Sequence, residues 1–149
     1  ETTSSREHAA MLDEALPLLD SFLRGERVDH DGAHYRVHAH LAPAALQEPR
    51  PRIWVGTHLS NRRGLDRAMR WDGIAPQDWP GITPEQVAAL AATVDRGSAY
   101  DVVVRVGHPD SAPVAEFAAA GATWGIAGML GPEETFDEVR TRVLAGPPR

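Results

Sequence analysis

The chain has 149 residues and contains neither cysteine nor lysine, since all 15 residues counted as lysine or arginine are arginine. Without cysteine it can form no disulfide and no thiolate zinc site, and it has no cysteine nucleophile. This composition fits a cytoplasmic protein, which is the compartment we expect. The absence of lysine, beside abundant alanine, glycine, proline and arginine, indicates a coding bias and not a chemical requirement.

Long apolar runs are also lacking, because none approaches the ~18 residues that a membrane-spanning helix needs. Basic residues are outnumbered, so the formal net charge is −6 and the pI about 5.6. An acidic surface repels polyanions, and we therefore expect no nucleic-acid partner and no membrane partner. The length predicts a single domain, 1–149, in which 1–52 form a leading helix, an arm and a connector.

The leading segment begins with an apolar stripe at helical spacing, which predicts a helix over Ser5–Arg24. Ser4 or Ser5 suits its N-cap and Gly25 its end. Pro17 lies inside the stripe and predicts a kink or a break, because proline removes one backbone hydrogen bond. Polar and apolar residues then alternate around an Asp-Gly turn, which predicts a hairpin or an extended arm over Val28–His40.

The arm carries several histidines at spacings of two and four residues: His30, His34, His38 and His40. Such spacing on one strand face offers metal ligands. No carboxylate or cysteine accompanies them in a recognised ligand pattern, so surface histidines are the favoured interpretation and we assign no metal site.

The stretch from Ile53 to Gly73 predicts a strand, a loop and a helix. The strand is Ile53–Val55, Gly56 ends it, and Ser60 or Asn61 caps a helix that ends near Arg70. A loop between a parallel strand and a helix N-terminus presents free N–H groups and the positive end of the helix dipole. An ordinary capped turn explains the same residues, so a phosphate site here is one of two interpretations.

Strands and helices alternate through the rest of the chain. The predicted strands are Gly73–Pro76, Tyr100–Val106 and Ala122–Ala127, and the predicted helices are Thr83–Arg96, Pro113–Ala120 and Glu133–Ala145. This alternation predicts an α/β fold with four parallel strands, which is half of a (β/α)8 TIM-type barrel. A half-barrel leaves two strand edges and an apolar face uncovered, so we expect it to associate with something.

Four groups of residues, in order along the chain, resemble the luciferase-like monooxygenase family of flavin- and deazaflavin-dependent oxidoreductases. They are Gly32-x-His34-Tyr35-Arg36-Val37 with Gln47-x-Pro49 and Pro51-x-Ile53-Trp54-Val55-Gly56; Arg67-Ala68-x-x-Trp71-Asp72-Gly73; Ala120-Gly121-Ala122-Thr123-Trp124; and Gly146-Pro147-Pro148-Arg149. The resemblance covers nearly the whole chain and corresponds to the C-terminal half of such an enzyme.

The resemblance implies an FMN or deazaflavin cofactor whose phosphate lies at the loop after Val55. By position it nominates the backbone of Gly56, Thr57 and His58, with Ser60 and Asn61 as side-chain donors. It assigns no catalytic residue, because the family's first four strands have no counterpart here. Three residues near predicted strand ends, His108, Asp110 and Trp124, are better explained by structural roles.

We therefore expect the C-terminal half of a luciferase-like oxidoreductase, catalytically incomplete alone. Its partner would be a second copy of the half-barrel or an N-terminal half. The alternative is a non-catalytic half-barrel that binds or assembles, and a third possibility is a distinct small α/β protein with an accidental match.

Overall fold

The computed structural model describes residues 4–78, 81–94, 99–106, 112–127 and 134–146. The chain divides into two compact units, Glu1–Ile53 and Trp54–Arg149. Among the described residues, no helix is long and apolar enough to cross a membrane. The predicted residues His108 and Asp110 lie outside the described part of the chain.

The first unit consists of helix α1, Ser5–Leu23, and an antiparallel hairpin of β1, Arg27–Asp31, and β2, Arg36–His40. Ser4 caps α1, because its hydroxyl accepts a hydrogen bond from the Glu7 N–H at 3.2 Å. The helix runs without interruption through Pro17, so the predicted break is wrong. The loss of one backbone bond, about 3 kcal/mol, does not outweigh the contacts that the second half of the helix makes.

Glu14 joins α1 to the hairpin. Its carboxylate accepts hydrogen bonds from the N–H groups of His34 at 3.0 Å and Tyr35 at 2.9 Å, and lies 2.8 Å from His30 Nε2. These bonds lower the pKa of Glu14 to about 2, with the His30 contact as the largest cause. A Cβ at Gly32 would stand 1.9 Å from the Glu14 Oε1 atom, so a larger residue here would displace the Glu14 carboxylate from its present position.

The second unit contains a four-stranded parallel sheet whose order, β3-β4-β5-β6, follows the chain. Its strands are β3 (Trp54–Thr57), β4 (Gly73–Pro76), β5 (Asp101–Val106) and β6 (Trp124–Ala127). The helices between and after them are α2 (Arg62–Ala68), α3 (Pro84–Thr93), α4 (Val114–Ala119) and α5 (Phe136–Ala145). The predicted α/β class with four parallel strands alternating with helices is confirmed.

Side chains alternate between the two faces of this sheet. One face, which we call the helix face, carries Thr57, Ile74 and the buried valines of β5, Val102, Val104 and Val106. The other face, which we call the inner face, carries Trp54, Gly56, Gly73, Ala75, Asp101, Val103, Arg105, Trp124 and Ile126. The core beside the sheet includes Val87 of α3 and Phe117 of α4.

Several predicted boundaries differ from the structure. Gly56 does not end the first strand, because the ladder with β4 continues through Thr57. Helix α5 begins at Phe136, after the Thr135 cap, and its predicted start at Glu133 lies outside the described residues. The apolar side of α5 is largely exposed, at 79% for Phe136 and 76% for Leu144, and α5 has no buried residue.

Candidate functional site

The predicted phosphate loop lies at the carboxyl end of β3, and the strand extends further into it than the sequence indicates. Gly56 and Thr57 are paired in register with Ala75 and Pro76, and the Gln77 N–H donates to the Thr57 carbonyl at 2.9 Å. Both predicted site residues are therefore part of the ladder. The loop itself runs from His58 to Asn61, with the Asn61 N–H donating to the His58 carbonyl at 3.0 Å.

Asn61, and not Ser60, is the N-cap of α2. Its side-chain oxygen accepts from the Gly64 N–H at 3.1 Å, and its carbonyl accepts from the Leu65 N–H at 2.9 Å. The Oδ1 atom is thus occupied, while the Nδ2 group remains a donor. The next N–H groups, of Arg62 and Arg63, have no acceptor among the described residues, as is usual in the first turn of a helix.

Gly64 sets how closely α2 approaches the strand, and the sequence prediction overlooked it. A Cβ on Gly64 would stand 1.9 Å from Thr57 Oγ1 and 2.9 Å from Thr57 Cβ. Thr57 itself is 7% exposed. The glycine in the first turn of a predicted helix was the available signal, because glycine is unfavourable there unless close packing requires it.

A carboxylate already lies against this loop. Asp78, two residues beyond the end of β4, accepts a hydrogen bond from the Leu59 N–H at 2.9 Å, and its other oxygen is 3.7 Å from His58 Nδ1. The loop therefore binds one anionic group of its own chain. An added phosphate would approach the Ser60 hydroxyl, the Asn61 amide and the free N–H groups of α2, next to that negative charge.

The inner face holds a packed cluster at the amino end of the strands. The Trp54 indole crosses Gly73 and donates to the Asp101 carboxylate at 2.8 Å, and the Thr123 hydroxyl donates to the same carboxylate at 3.1 Å. A Cβ at Gly73 would lie 2.8 Å from the Trp54 ring and 2.7 Å from Asp101, which explains the glycine. The Trp124 ring centroid is 5.3 Å from that of Trp54.

Trp124, one of the residues predicted near a strand end, is the first residue of β6. It therefore lies at the amino end of its strand, opposite the end where the active sites of barrel enzymes are found. Its ring contact with Trp54 is a packing contact. This position agrees with the structural role that the sequence favoured for it.

Three histidine side chains of the arm, those of His30, His38 and His40, contact neighbours in the first unit. His38 contacts the Asp29 carboxylate at 2.5 Å and Asp31 at 3.6 Å, while His40 Nε2 lies 3.1 Å from the Gly25 carbonyl. Within the described ranges, no group of three or more histidine, cysteine, aspartate or glutamate side chains is arranged to hold a metal ion.

The chain was compared with known protein families and with curated proteins, and neither comparison found a match.

Proposed function

We propose that this chain is the C-terminal half of a luciferase-like flavin- or deazaflavin-dependent oxidoreductase. The observation that carries the proposal is the strand order of the parallel sheet, which follows the chain without reversal. Right-handed crossovers between strands in this order leave their helices on one side of the sheet, as in a (β/α)8 barrel. In doubly wound folds the order reverses and helices cover both faces.

Open strand edges support the half-barrel further. Among the described residues, β3 and β6 are the edge strands of the sheet, and all four residues of β6 are exposed. Closing an eight-stranded barrel would pair both edges and cover the inner face. An N-terminal half would supply the other four strands, so we expect this chain to be catalytically incomplete alone.

The loop after β3 is the proposed phosphate site. The donors that would bind the phosphate are the Ser60 hydroxyl, the Asn61 Nδ2 amide, the first N–H groups of α2 and His58. Gly56 and Thr57 hold the loop from within the ladder. When bound, FMN or a deazaflavin would supply hydride transfer, and FMN could instead supply oxygen activation; the chain's own residues would fix the cofactor's position.

Asp78 makes this proposal sharply testable. Its carboxylate occupies the Leu59 N–H and would repel a phosphate, so the Asp78→Asn variant should bind FMN several-fold more tightly. Ser60→Ala should bind it more weakly. Asn61→Asp keeps the helix cap but exchanges the amide donor for a negative charge, and it should abolish binding.

Isothermal calorimetry with FMN and riboflavin, which differ by the phosphate, provides the measurement. Asn61→Ser is the matched control for Asn61→Asp, because serine also caps helices and carries no charge. FMN should bind more tightly than riboflavin, with the ranking of variants given above. Equal affinity for the two ligands, or no FMN binding by the unaltered chain, would overturn the phosphate site.

The second candidate is a non-catalytic half-barrel that associates with a second copy of itself. The observation that favours it is the exposed apolar surface of β6 and α5, where Ile126 is 45%, Val143 70% and Phe136 79% exposed. A two-fold axis along the barrel would pair β6 of each copy with β3 of the other, and both pairs would be parallel. One kind of partner, a second copy, thereby covers both edges.

Sedimentation velocity over a range of concentrations tests this candidate. The chain should form a dimer, and Ile126→Glu should convert the dimer to a monomer because a charge would enter the new strand pair. Leu46→Glu is the control, since Leu46 is 97% exposed and lies in the first unit. A monomer at every concentration, or equal effects of the two substitutions, would reject self-association.

A further inference from the structure

Arg105 interrupts an otherwise apolar stretch of β5. Val102, Val103, Val104 and Val106 are each 3–4% exposed, whereas Arg105 is exposed. It stands second from the carboxyl end of the strand, in register with Ile126 on β6. Parallel strands that are covered on both faces have apolar side chains throughout. A charged residue at this position indicates that the inner face meets solvent or a ligand at its carboxyl end.

The Gln77 side chain makes a long hydrogen bond with the guanidinium group of Arg105. The Gln77 Nε2 group donates to the Ala75 carbonyl at 3.0 Å, which directs its Oε1 atom toward Arg105, and the Arg105 amine donates to that oxygen at 3.5 Å. The Gln77 side chain also passes beside Gly56, 3.4 Å from where a Cβ would stand. The Gln77 amide therefore lies over Gly56 and Ala75 on this face, next to the guanidinium group.

Arg105 differs from several other arginines of the chain in its charge environment. Within the described part of the chain, no carboxylate pairs with it. The arginines that have a carboxylate within 4.0 Å include Arg24, Arg36, Arg50, Arg62 and Arg142. A guanidinium group presents a planar fork of donors that matches a carboxylate or a phosphate.

We propose that Arg105 is the anion-binding residue of a ligand site on the inner face, at the carboxyl end of the sheet. The ligand class is a small planar molecule with an oxyanion, either a carboxylate or a phosphate. Its flat body would lie against the Gln77 amide and Ile126, and its anion would meet the guanidinium fork. The inference rests on the proposed half-barrel, whose interior this face would line.

The experiment titrates the full ¹⁵N-labelled chain with benzoate, inorganic phosphate and FMN, and follows the Ile126 amide and the Trp124 indole by NMR. Benzoate or phosphate should shift the Ile126 amide, and Arg105→Gln should weaken that binding about tenfold or more. Arg105→Lys should give an intermediate affinity, because lysine keeps the charge but loses the fork. Arg140→Gln is the control, since it removes the same charge from the exposed face of α5.

The ligand arms distinguish the two sources of the oxyanion. If Arg105→Gln weakens the binding of benzoate but leaves the binding of FMN unchanged, the site takes a carboxylate substrate. If the substitution weakens the binding of both phosphate and FMN, the site takes the cofactor's phosphate. Unchanged binding in Arg105→Gln, or equal losses in Arg105→Gln and Arg140→Gln, would overturn the inference. Failure of the proposed function gives a different result from failure of this inference. In that case the unaltered chain would not bind FMN, but its binding of benzoate would still depend on Arg105.

Discussion

The close approach of Gly64 to Thr57 predicts that Gly64→Ala destabilises the protein, although helix propensity favours alanine. Alanine forms helix better than glycine by about 1 kcal/mol, so helix propensity alone expects Gly64→Ala to stabilise the protein. The added Cβ, however, would stand 1.9 Å from Thr57 Oγ1 and 2.9 Å from Thr57 Cβ. Rotating the threonine side chain moves only its outer atoms, so the contact with Cβ persists.

Overpacking of a close contact costs about 1–3 kcal/mol, and the shortness of this one places it at the upper end. After subtraction of the propensity gain, we expect Gly64→Ala to lower the free energy of unfolding by about 2 kcal/mol. In a unit of this size that corresponds to a melting temperature lower by roughly 10 °C. Thermal and urea unfolding followed by circular dichroism measures both quantities.

Repeating Gly64→Ala in two variants of Thr57 tests whether the destabilisation is caused by the steric contact. Thr57→Ala removes the nearest atom, so Gly64→Ala should cost at least about 1 kcal/mol less in that background. Thr57→Val replaces the hydroxyl with a methyl group of similar size, so the cost should remain. A stabilising Gly64→Ala, or the same cost in both backgrounds, would refute the close contact between α2 and β3.

Three further predictions concern the packing of each unit. The contact with His30 holds the pKa of Glu14 at about 2 in the folded state, against an ordinary value of 4.5, so its stabilising effect is present above pH 4.5 and lost as the pH falls toward 2. Glu14→Gln should remove that pH dependence in hydrogen exchange of the hairpin amides. Phe117→Ala should lower the free energy of unfolding by about 3–5 kcal/mol because the ring is 2% exposed, and Phe136→Ala, 79% exposed, should leave it nearly unchanged in the same urea titration. Trp54→Phe should cost about 1.5–3 kcal/mol by urea unfolding, since Asp101 loses a donor, and a neutral result would contradict that hydrogen bond.

Features set by neighbouring residues were predictable from the sequence. The Ser4 cap of α1 and the capping box of Thr83 and Gln86 in α3 occur where the residue pattern indicates them. Their hydrogen bonds join residues three positions apart, so local sequence contains all the information needed. The alternation of strands and helices was readable for the same reason.

Features that depend on residues far apart in the chain could not be predicted from the sequence. Gly56 resembles a strand end, yet the ladder continues because β4 supplies the pairing partners. The periodicity of α5 identifies its apolar side but contains no information about what covers it, and Phe136 is exposed. Likewise, the bond from the Leu59 N–H to Asp78 and the contact of Arg105 with Gln77 join different βα units, so no local pattern indicates them.

The loop after β3 and the region around Arg105 are connected through two consecutive residues, Gln77 and Asp78. Gln77 extends toward Arg105 on the inner face, while Asp78 binds the Leu59 N–H in the loop before α2. Both follow directly from the end of β4, so any movement of that strand end would alter the guanidinium position and the loop together. A ligand whose phosphate lay at the loop and whose flat body lay against the Gln77 amide would contact both residues. The short segment after β4, and not the loop after β3 alone, therefore determines whether phosphate binding and inner-face binding belong to one ligand.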